Sequence, residues 1–594
     1  MVTYAERPWL KRYDPGTPTS LEPYPNTTLH QLLRDSAKKH PNNLAIVTQS
    51  HIPIFGRPIG GLTYAQLDAQ TDALAAALVD KGLKKGDRVA IVMPNTAAFV
   101  IAYFAILKAG GIVAATNPTY PPDKMQFQLD DCGAEFVVTL TLFYSMIKGI
   151  QARTRVRAVI VTNVKEYFNP ITKTLFQLAK EKKMGHALEQ LQAGDYWLQD
   201  LLKEYAGKKA DVDVTGEDVA IFQYTGGTTG ISKAAMGQHK AVVANILQSR
   251  ACLLGGLPGD GSSEVFLGAI PFYHVYGMVT VVGLASALGA RIVLVPNARD
   301  IDDLVETIDK FKPSIFMGVP ALYNAINNHP KVKANQVDVK SIRVCMSGSA
   351  PLPPSTKREF ETITGGRLME GYGMSEMPTA THANPYKGEN RTGSVGLPFP
   401  DVECKIVSLE DGFTEVPTGE IGELLMRGPQ LFAGYYNMPE ETDHTLRTID
   451  GEKWLYTGDI AKMDEDGYFY LVDRKKDMVL IGGFNVYPVQ VDKVLADHPA
   501  VLECAVAGVP HDEKPGQEML KAWIVLHPGM TVTPEELIEH ASKRLARYEV
   551  PTRYAFIDVL PKSNVGKTLR RELVQQELKA RHMERPRDVR LTAS

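Results

Sequence analysis

The chain has 594 residues, 44% of them hydrophobic and 22% charged, and a formal net charge of −3. That length exceeds what one hydrophobic core supports and implies roughly three to five domains or subdomains. The balanced charge offers no overall field for nucleic acid.

The five cysteines, Cys132, Cys252, Cys345, Cys404 and Cys504, are scattered and form no CxxC pair. This argues against a disulfide scaffold or a zinc site and fits a reducing compartment. The N-terminal residues show no apolar stretch of a secretory leader. Two apolar runs, Ala97 to Leu107 and Val275 to Ala290, stop at Lys108 and Arg291. Both fall short of the roughly 20 residues that span a bilayer and read as buried helices. The expected location is cytoplasmic.

In chain order, Thr63 to Lys81 places Leu67, Leu74, Ala75 and Leu78 at helical spacing, with Thr63 as N-cap. Arg88 to Met93 is an apolar strand, a helix runs to Ala109, and Ile112 to Ala115 is the next strand. The rhythm returns at Ala158–Val161, Val219–Gln223, Arg291–Val295, Ser314–Met317 and Arg343–Met346. It predicts largely parallel sheets covered by helices.

After about residue 390 the texture changes to short strands between Gly and Asp turns, at Val402–Val407, Gly422–Met426, Lys453–Leu455 and Tyr468–Val472. From about Lys475 a compact α+β region follows, with strands at Ala505–Val509, Lys521–Leu526 and Tyr554–Phe556 and helices at Val489–Leu495 and Pro534–Leu545. The fold expected is α/β. A large N-terminal domain of stacked α/β sheets (1–473) includes a β-rich subdomain at about 390–473. A hinge (474–477) and a small, mobile α+β domain (478–594) follow.

The sharpest local signal is Tyr224-Thr-Gly-Gly-Thr-Thr-Gly-Ile-Ser-Lys233, entered by the strand Val219–Gln223. Gly226, Gly227 and Gly230 let backbone approach an anion closely. Thr225, Thr228 and Thr229 supply hydroxyls and Lys233 a point charge, so the loop suits a polyphosphate. Its spacing differs from the Walker loop, since the lysine lies three residues beyond the last glycine.

This loop resembles the signature of the adenylate-forming superfamily of acyl-CoA synthetases, adenylation domains and luciferases. Seven further motifs follow in that family's order: Pro271-Phe-Tyr-His-Val-Tyr-Gly277, Ser347-Gly-Ser-Ala-Pro-Leu352, Gly371-Tyr-Gly-Met-Ser-Glu376, Tyr456-Thr-Gly-Asp459, Asp473-Arg-Lys-Lys-Asp477, Ile481-Gly-Gly-Phe-Asn-Val-Tyr-Pro488 and Pro561-Lys-Ser-Asn-Val-Gly-Lys567. One departure is Ser232, where the family often has proline before the loop lysine.

The resemblance implies a two-step ligase that uses ATP, Mg²⁺ and coenzyme A. Thr228 and Glu376 would hold the metal, partly through water. Tyr372 would stack on adenine. Gly348, Ser349, Ala350, Gly371, Gly373, Met374 and Ser375 would pack around the nucleotide, with Thr225 to Gly230 and Lys233 at its phosphates. Asp459 would accept from the ribose hydroxyls, with Arg474 beside it. Lys567 would stabilise charge during adenylation. His274, counted with the catalytic set, would line the acyl and nucleotide pocket without acting as general base. Lys476 would be the pivot, and Gly482, Gly483 and Phe484 would face the pantetheine arm of CoA.

The Trp9-Leu-Lys-Arg-Tyr-Asp-Pro start and the Tyr224-Thr-Gly-Gly variant look most like bacterial long-chain fatty-acid CoA ligases. Other acids, medium-chain or aromatic, and a carrier-protein acceptor are the alternatives. A homodimer is the family expectation. Residues 164–184 interleave Phe168, Ile171, Leu175, Phe176 and Leu178 with Lys165, Lys173, Lys180, Lys182 and Lys183. This reads as a basic amphipathic segment able to rest peripherally on the inner face of a membrane.

Overall fold

The structure, a computed structural model, describes residues 2–49, 59–226, 232–254, 257, 259–514, 517–563 and 566–581. The chain divides into two compact units. One comprises Trp9–Glu403 and Met426–Leu455, the other Met1–Pro8, Cys404–Leu425 and Tyr456–Ser594.

The first unit holds two large sheets. Among the described residues, the nine-stranded one runs Leu397–Pro398, Ala380–Ala383, Arg367–Gly373, Val344–Ser347, Ile315–Gly318, Val265–Gly268, Arg291–Leu294, Leu44–Gln49, Ile59–Thr63. Its central pairs are parallel, and antiparallel pairs lie toward both edges. The seven-stranded sheet runs Tyr196–Trp197, Ala158–Thr162, Ala134–Leu140, Arg88–Val92, Ile112–Thr116, Val219–Gly226, Ser232–Gln238. It is parallel except for its last pair. Strands covered on both faces need no polar alternation, and this explains their unbroken apolar runs, such as Val89–Val92, every residue of which is buried.

The helix Ala97–Lys108 is buried along its whole length. Its last residue, Lys108, meets the carboxylates of Asp68 (2.5 Å) and Asp72 (2.6 Å) on the neighbouring helix Tyr64–Asp80. Thr63 caps that helix as the sequence predicts, and Gln66 completes a capping box. The apolar run from Val275 is helical as far as Leu288, with a π-helical stretch at Met278–Gly283. No helix among the described residues is long and apolar enough to cross a membrane.

The amphipathic segment splits its apolar residues. Phe176 is buried against Phe168 and His186, whereas Ile171 and Leu178 are 60% and 81% exposed. Lys165 and Lys173 pair with Glu181 and Glu166, while Lys180, Lys182 and Lys183 stay exposed.

In the second unit the strands Val501–Pro510 and Glu518–Leu526 pair antiparallel, and Arg553–Phe556 joins in parallel. Alternate residues of the pair fill two cores. Val506, Leu520, Ala522 and Ile524 meet the helices Pro488–Ala496 and Pro534–Ser542 on one face. Ala505, Val509, Trp523 and Val525 meet Arg570–Ala580 on the other. A hairpin, Val479–Ile481 with Phe484–Val486, turns through Gly482 and Gly483 at φ 59° and 87°. This is the double positive φ that a two-residue turn between twisted strands requires.

Candidate active site

The Gly/Thr loop connects two strands. Val219–Gly226 enters and Ser232–Gln238 leaves antiparallel to it, with Thr225 opposite Lys233 and Gly226 opposite Ser232. Ser232 donates through its hydroxyl to the Thr225 carbonyl (3.1 Å), so the residue replacing proline ties the two arms together. Gly227, Thr228, Thr229 and Gly230 lie outside the described residues.

Lys233 is buried, ion-paired with Glu441 and positioned over the Tyr435 ring at 5.3 Å. The Tyr435 hydroxyl donates to the buried carboxylate of Glu376 (2.6 Å), and that charge together with burial pushes the phenol pKa up. Three backbone bonds fix this cluster. Phe432 N–H donates to the Glu376 carbonyl, and Ala433 and Tyr436 N–H donate to carbonyls of Met236 and Ala234. The segment 432–436 thus runs beside Ser232–Gln238, carrying Tyr435 to both Lys233 and Glu376. Sequence reasoning missed Tyr435 and Glu441. The only local signal was the Tyr435-Tyr436 pair after Gly434, with no periodicity around it.

Two motifs expected on the nucleotide side sit at the ends of adjacent parallel strands. Val344–Ser347 leads into Gly348, Ser349 and Ala350, and Arg367–Gly373 leads into Met374, Ser375 and Glu376. Ends of parallel strands are where open α/β sheets place ligands. Ser349 has φ 69°, a conformation non-glycine residues rarely hold without a local reason. The Ser347 hydroxyl is buried without a partner among the described residues. Gly373 is required sterically, because a methyl group there would lie 1.7 Å from the Thr379 carbonyl oxygen. Beneath it Tyr372 contacts His382, ring centroids 5.7 Å apart.

His274 caps the helical run that starts at Val275. Its Nδ1 accepts from Tyr276 N–H (3.2 Å), and burial drives its pKa down to about 4. The imidazole is therefore neutral near pH 7 with its proton on Nε2.

The same unit contains an apolar cavity whose wall includes Met317, Met346 and Met369. Met346 immediately precedes the Ser347-Gly348 turn, and Thr280 and Ala380 line the same space.

In the second unit Asp459 and Arg474 face each other across a hairpin, carboxylate to Nε at 3.1 Å, with Asp459 almost fully buried. Lys567 comes to the same cluster from 93 positions beyond Arg474 (567 − 474). Burial, with the charges of Arg474 and Lys476 opposing Asp459 and Asp477, lowers its pKa to about 8. Lys476, although exposed on its outer side, is lowered too, by desolvation first. The chain thus assembles Asp459, Arg474, Lys476 and Lys567 in one place. Phe484 is separate, exposed beyond the Gly482-Gly483 turn and stacked on Tyr548 at 4.5 Å.

A strand-ended loop of glycine and threonine, parallel sheets ending in glycine turns and a small α+β unit carrying a half-buried lysine are the architecture of adenylate-forming enzymes. Residues 33–436 match the AMP-binding enzyme family, and residues 490–567 match its C-terminal domain. The chain belongs to the family of AMP-binding enzymes. It is 39% identical over 581 residues to the long-chain-fatty-acid–CoA ligase of Bacillus subtilis (strain 168), covering 98% of this chain and 100% of that one. The protein of the same name from Yersinia pestis is 36% identical, with 97% and 99% covered. ATP-bound MatB from Rhodopseudomonas palustris superposes with a TM-score of 0.79 at 28% identity, covering 93% of this chain and 99% of that one.

Among the described residues no cluster of three or more His, Cys, Asp or Glu side chains could hold a metal. Among the described residues of the expected metal pair, Glu376 offers a hard oxygen donor. That fits magnesium, which takes one or two carboxylates and completes its shell with water and phosphate.

Proposed function

We infer that the protein is an ATP-dependent fatty acid:CoA ligase that forms an acyl-adenylate and passes the acyl group to CoA. The near-full-length similarity to long-chain-fatty-acid–CoA ligases carries this reading, and the methionine-lined cavity supports an apolar acyl tail.

In the first step the substrate carboxylate attacks the α-phosphorus of ATP and pyrophosphate leaves. Both reactants are anionic, so positioning and charge neutralisation carry the catalysis. Thr225, Thr229, the loop glycines and Lys233 hold the phosphates. Glu376 and Thr228 would hold Mg²⁺, whose charge offsets that of the leaving pyrophosphate. Tyr372 stacks on adenine between the Gly348–Ala350 and Gly371–Ser375 turns. Asp459 accepts from the ribose hydroxyls and Arg474 orients it. Lys567 stabilises the charge at the carboxylate and α-phosphate. His274, neutral, lines the acyl pocket.

In the second step the CoA thiol attacks the adenylate carbonyl, forming the thioester and releasing AMP. Gly482, Gly483 and Phe484 guide the pantetheine arm, and Lys476 is the pivot between the two steps. The segment 164–184 rests on anionic membrane where the acid partitions, and the protein works as a homodimer, which sedimentation tests.

The deciding assay is AMP release with magnesium-ATP, CoA and acetate, octanoate, palmitate, oleate or 4-coumarate. CoA-dependent turnover peaking at palmitate or oleate is expected. A peak at acetate or coumarate overturns the substrate, and adenylate without thioester overturns the acceptor.

A further inference from the structure

The apolar cavity has a direction. Its near end is tied to the nucleotide-side strands. Thr280 donates to the Tyr276 carbonyl (2.5 Å), Tyr276 donates to the Met346 carbonyl (2.9 Å), and Asn245 accepts from Thr379 and Ala380 N–H. The helix His239–Leu254 carries Asn245 and then, on successive turns, the cavity-lining Ser249 and Cys252. Seven residues of helix advance about 10 Å, so the cavity runs from Ala380 toward the helix C-terminus.

Toward that C-terminus, where the Asp14 charge acts on Cys252, the wall of the cavity is remote in sequence. Tyr13, Asp14 and Thr17 of the N-terminal segment line it beside Tyr386 and Phe399. This strap is held firmly. The Asp14 carboxylate is buried and accepts from the backbone N–H of Tyr386 (2.6 Å), Lys387 (3.0 Å) and Gly388 (2.6 Å). The Tyr13 hydroxyl donates to the Pro398 carbonyl (2.7 Å). Asp401 holds the continuation of the strap through Leu21 N–H (2.8 Å) and the Tyr24 hydroxyl (2.7 Å).

The two ends differ in mechanical character. Methionines flank the near part and change rotamer at little cost, whereas an aromatic ring anchored at its hydroxyl, beside a carboxylate bound to three amides, is a fixed stop. Two aspartates, Asp14 and Asp401, spend their acceptors on fixing this strap.

We propose that Tyr13 is a specificity-determining residue, the end-stop that sets the longest acyl chain the enzyme accepts, with Asp14 positioning it. This rests on the cavity taking the acyl tail. A terminal methyl group that reaches the ring stops there, and a longer chain has to displace the strap and its hydrogen bonds.

The test is the ratio of kcat/KM for a C20 acid to that for a C10 acid, with the C10 rate as an internal control of folding. Tyr13→Ala should raise the ratio by roughly tenfold, the discrimination that one or two methylenes exert in an apolar pocket. Tyr13→Trp should lower it by a similar factor, and if one variant fails to fold the other decides. Equal change for both acids, or none, overturns the proposal. Leu284→Trp, in the cavity wall one helical turn beyond Thr280, separates this from the reading beneath it. If it leaves C20 turnover intact, the cavity is not the acyl site. If it abolishes C20 turnover while the Tyr13 variants keep the parental ratio, the cavity holds the tail and the end-stop lies elsewhere.

Discussion

At the residue scale, Lys567 is the group whose chemistry is most exposed to measurement. Its pKa is lowered to about 8, so the ammonium is present below that pH and lost as pH rises through it. In the free enzyme kcat/KM for adenylation, read by pyrophosphate exchange, should therefore fall about tenfold per pH unit above about 8. Lys567→Arg keeps its charge over that range and should flatten the fall. An unchanged profile in the arginine variant would assign the titration to another group. Lys567→Ala should cripple adenylation yet spare thioester formation from supplied acyl-adenylate. Spacing alone shows Lys567 as one lysine in a glycine-containing loop, and it is the resemblance of the motif Pro561–Lys567 that singles it out. Its meeting with Asp459 and Arg474 is a tertiary event that no local spacing encodes. Tyr435 and Glu441 escaped sequence reasoning for the same reason, since Tyr435 reaches Glu376 across 59 residues and Glu441 reaches Lys233 across 208.

At the element scale, apolar pattern and caps made most of the fold legible. Strands buried on both faces announce themselves as continuous runs, and the Thr63 cap is written as Thr-x-x-Gln. The strand Ser232–Gln238 is the counterexample. Its sequence, Ser-Lys-Ala-Ala-Met-Gly-Gln, has weak β propensity and forms because two neighbouring backbones complete its ladder. The helix Arg570–Ala580 depends on a different device. Arg570 pairs with Asp492 on the helix Pro488–Ala496 and also donates to the Val506 carbonyl (3.0 Å), while Asp492 accepts from Val506 N–H (2.6 Å). Asp492→Ala leaves the guanidinium largely buried without its counter-charge and should cost about 3 kcal/mol, seen as a lower denaturation midpoint at unchanged slope. A midpoint within a few tenths of a kcal/mol of the parent would mean that the pair is only superficial.

At the scale of the whole molecule, both half-reactions draw on one chain. Replacing Lys476 with proline removes the backbone freedom a pivot needs and should slow thioester formation more than adenylation. Equal rates for both steps in the variant and parent would take Lys476 out of that role. Delivery of an insoluble acid is the other demand at this scale. The exposed Ile171 and Leu178 beside Lys180, Lys182 and Lys183 should carry the protein up with phosphatidylglycerol vesicles and not with phosphatidylcholine ones. Reversal of the three lysine charges should abolish flotation, and flotation unaffected by that change would point to another surface.

If Lys233 holds the phosphates as proposed, its contact with Glu441 makes polyphosphate binding an exchange. The lysine's charge already has an internal occupant, and an arriving nucleotide has to outcompete a tethered carboxylate whose local concentration never falls. Weak anions are thereby screened out, and a triphosphate with several simultaneous contacts is favoured. The internal rival can be silenced without touching the lysine. Glu441→Gln should lower the KM for ATP and, more tellingly, turn inorganic phosphate into an effective inhibitor. A variant as indifferent to phosphate as its parent would show that the lysine was never guarded.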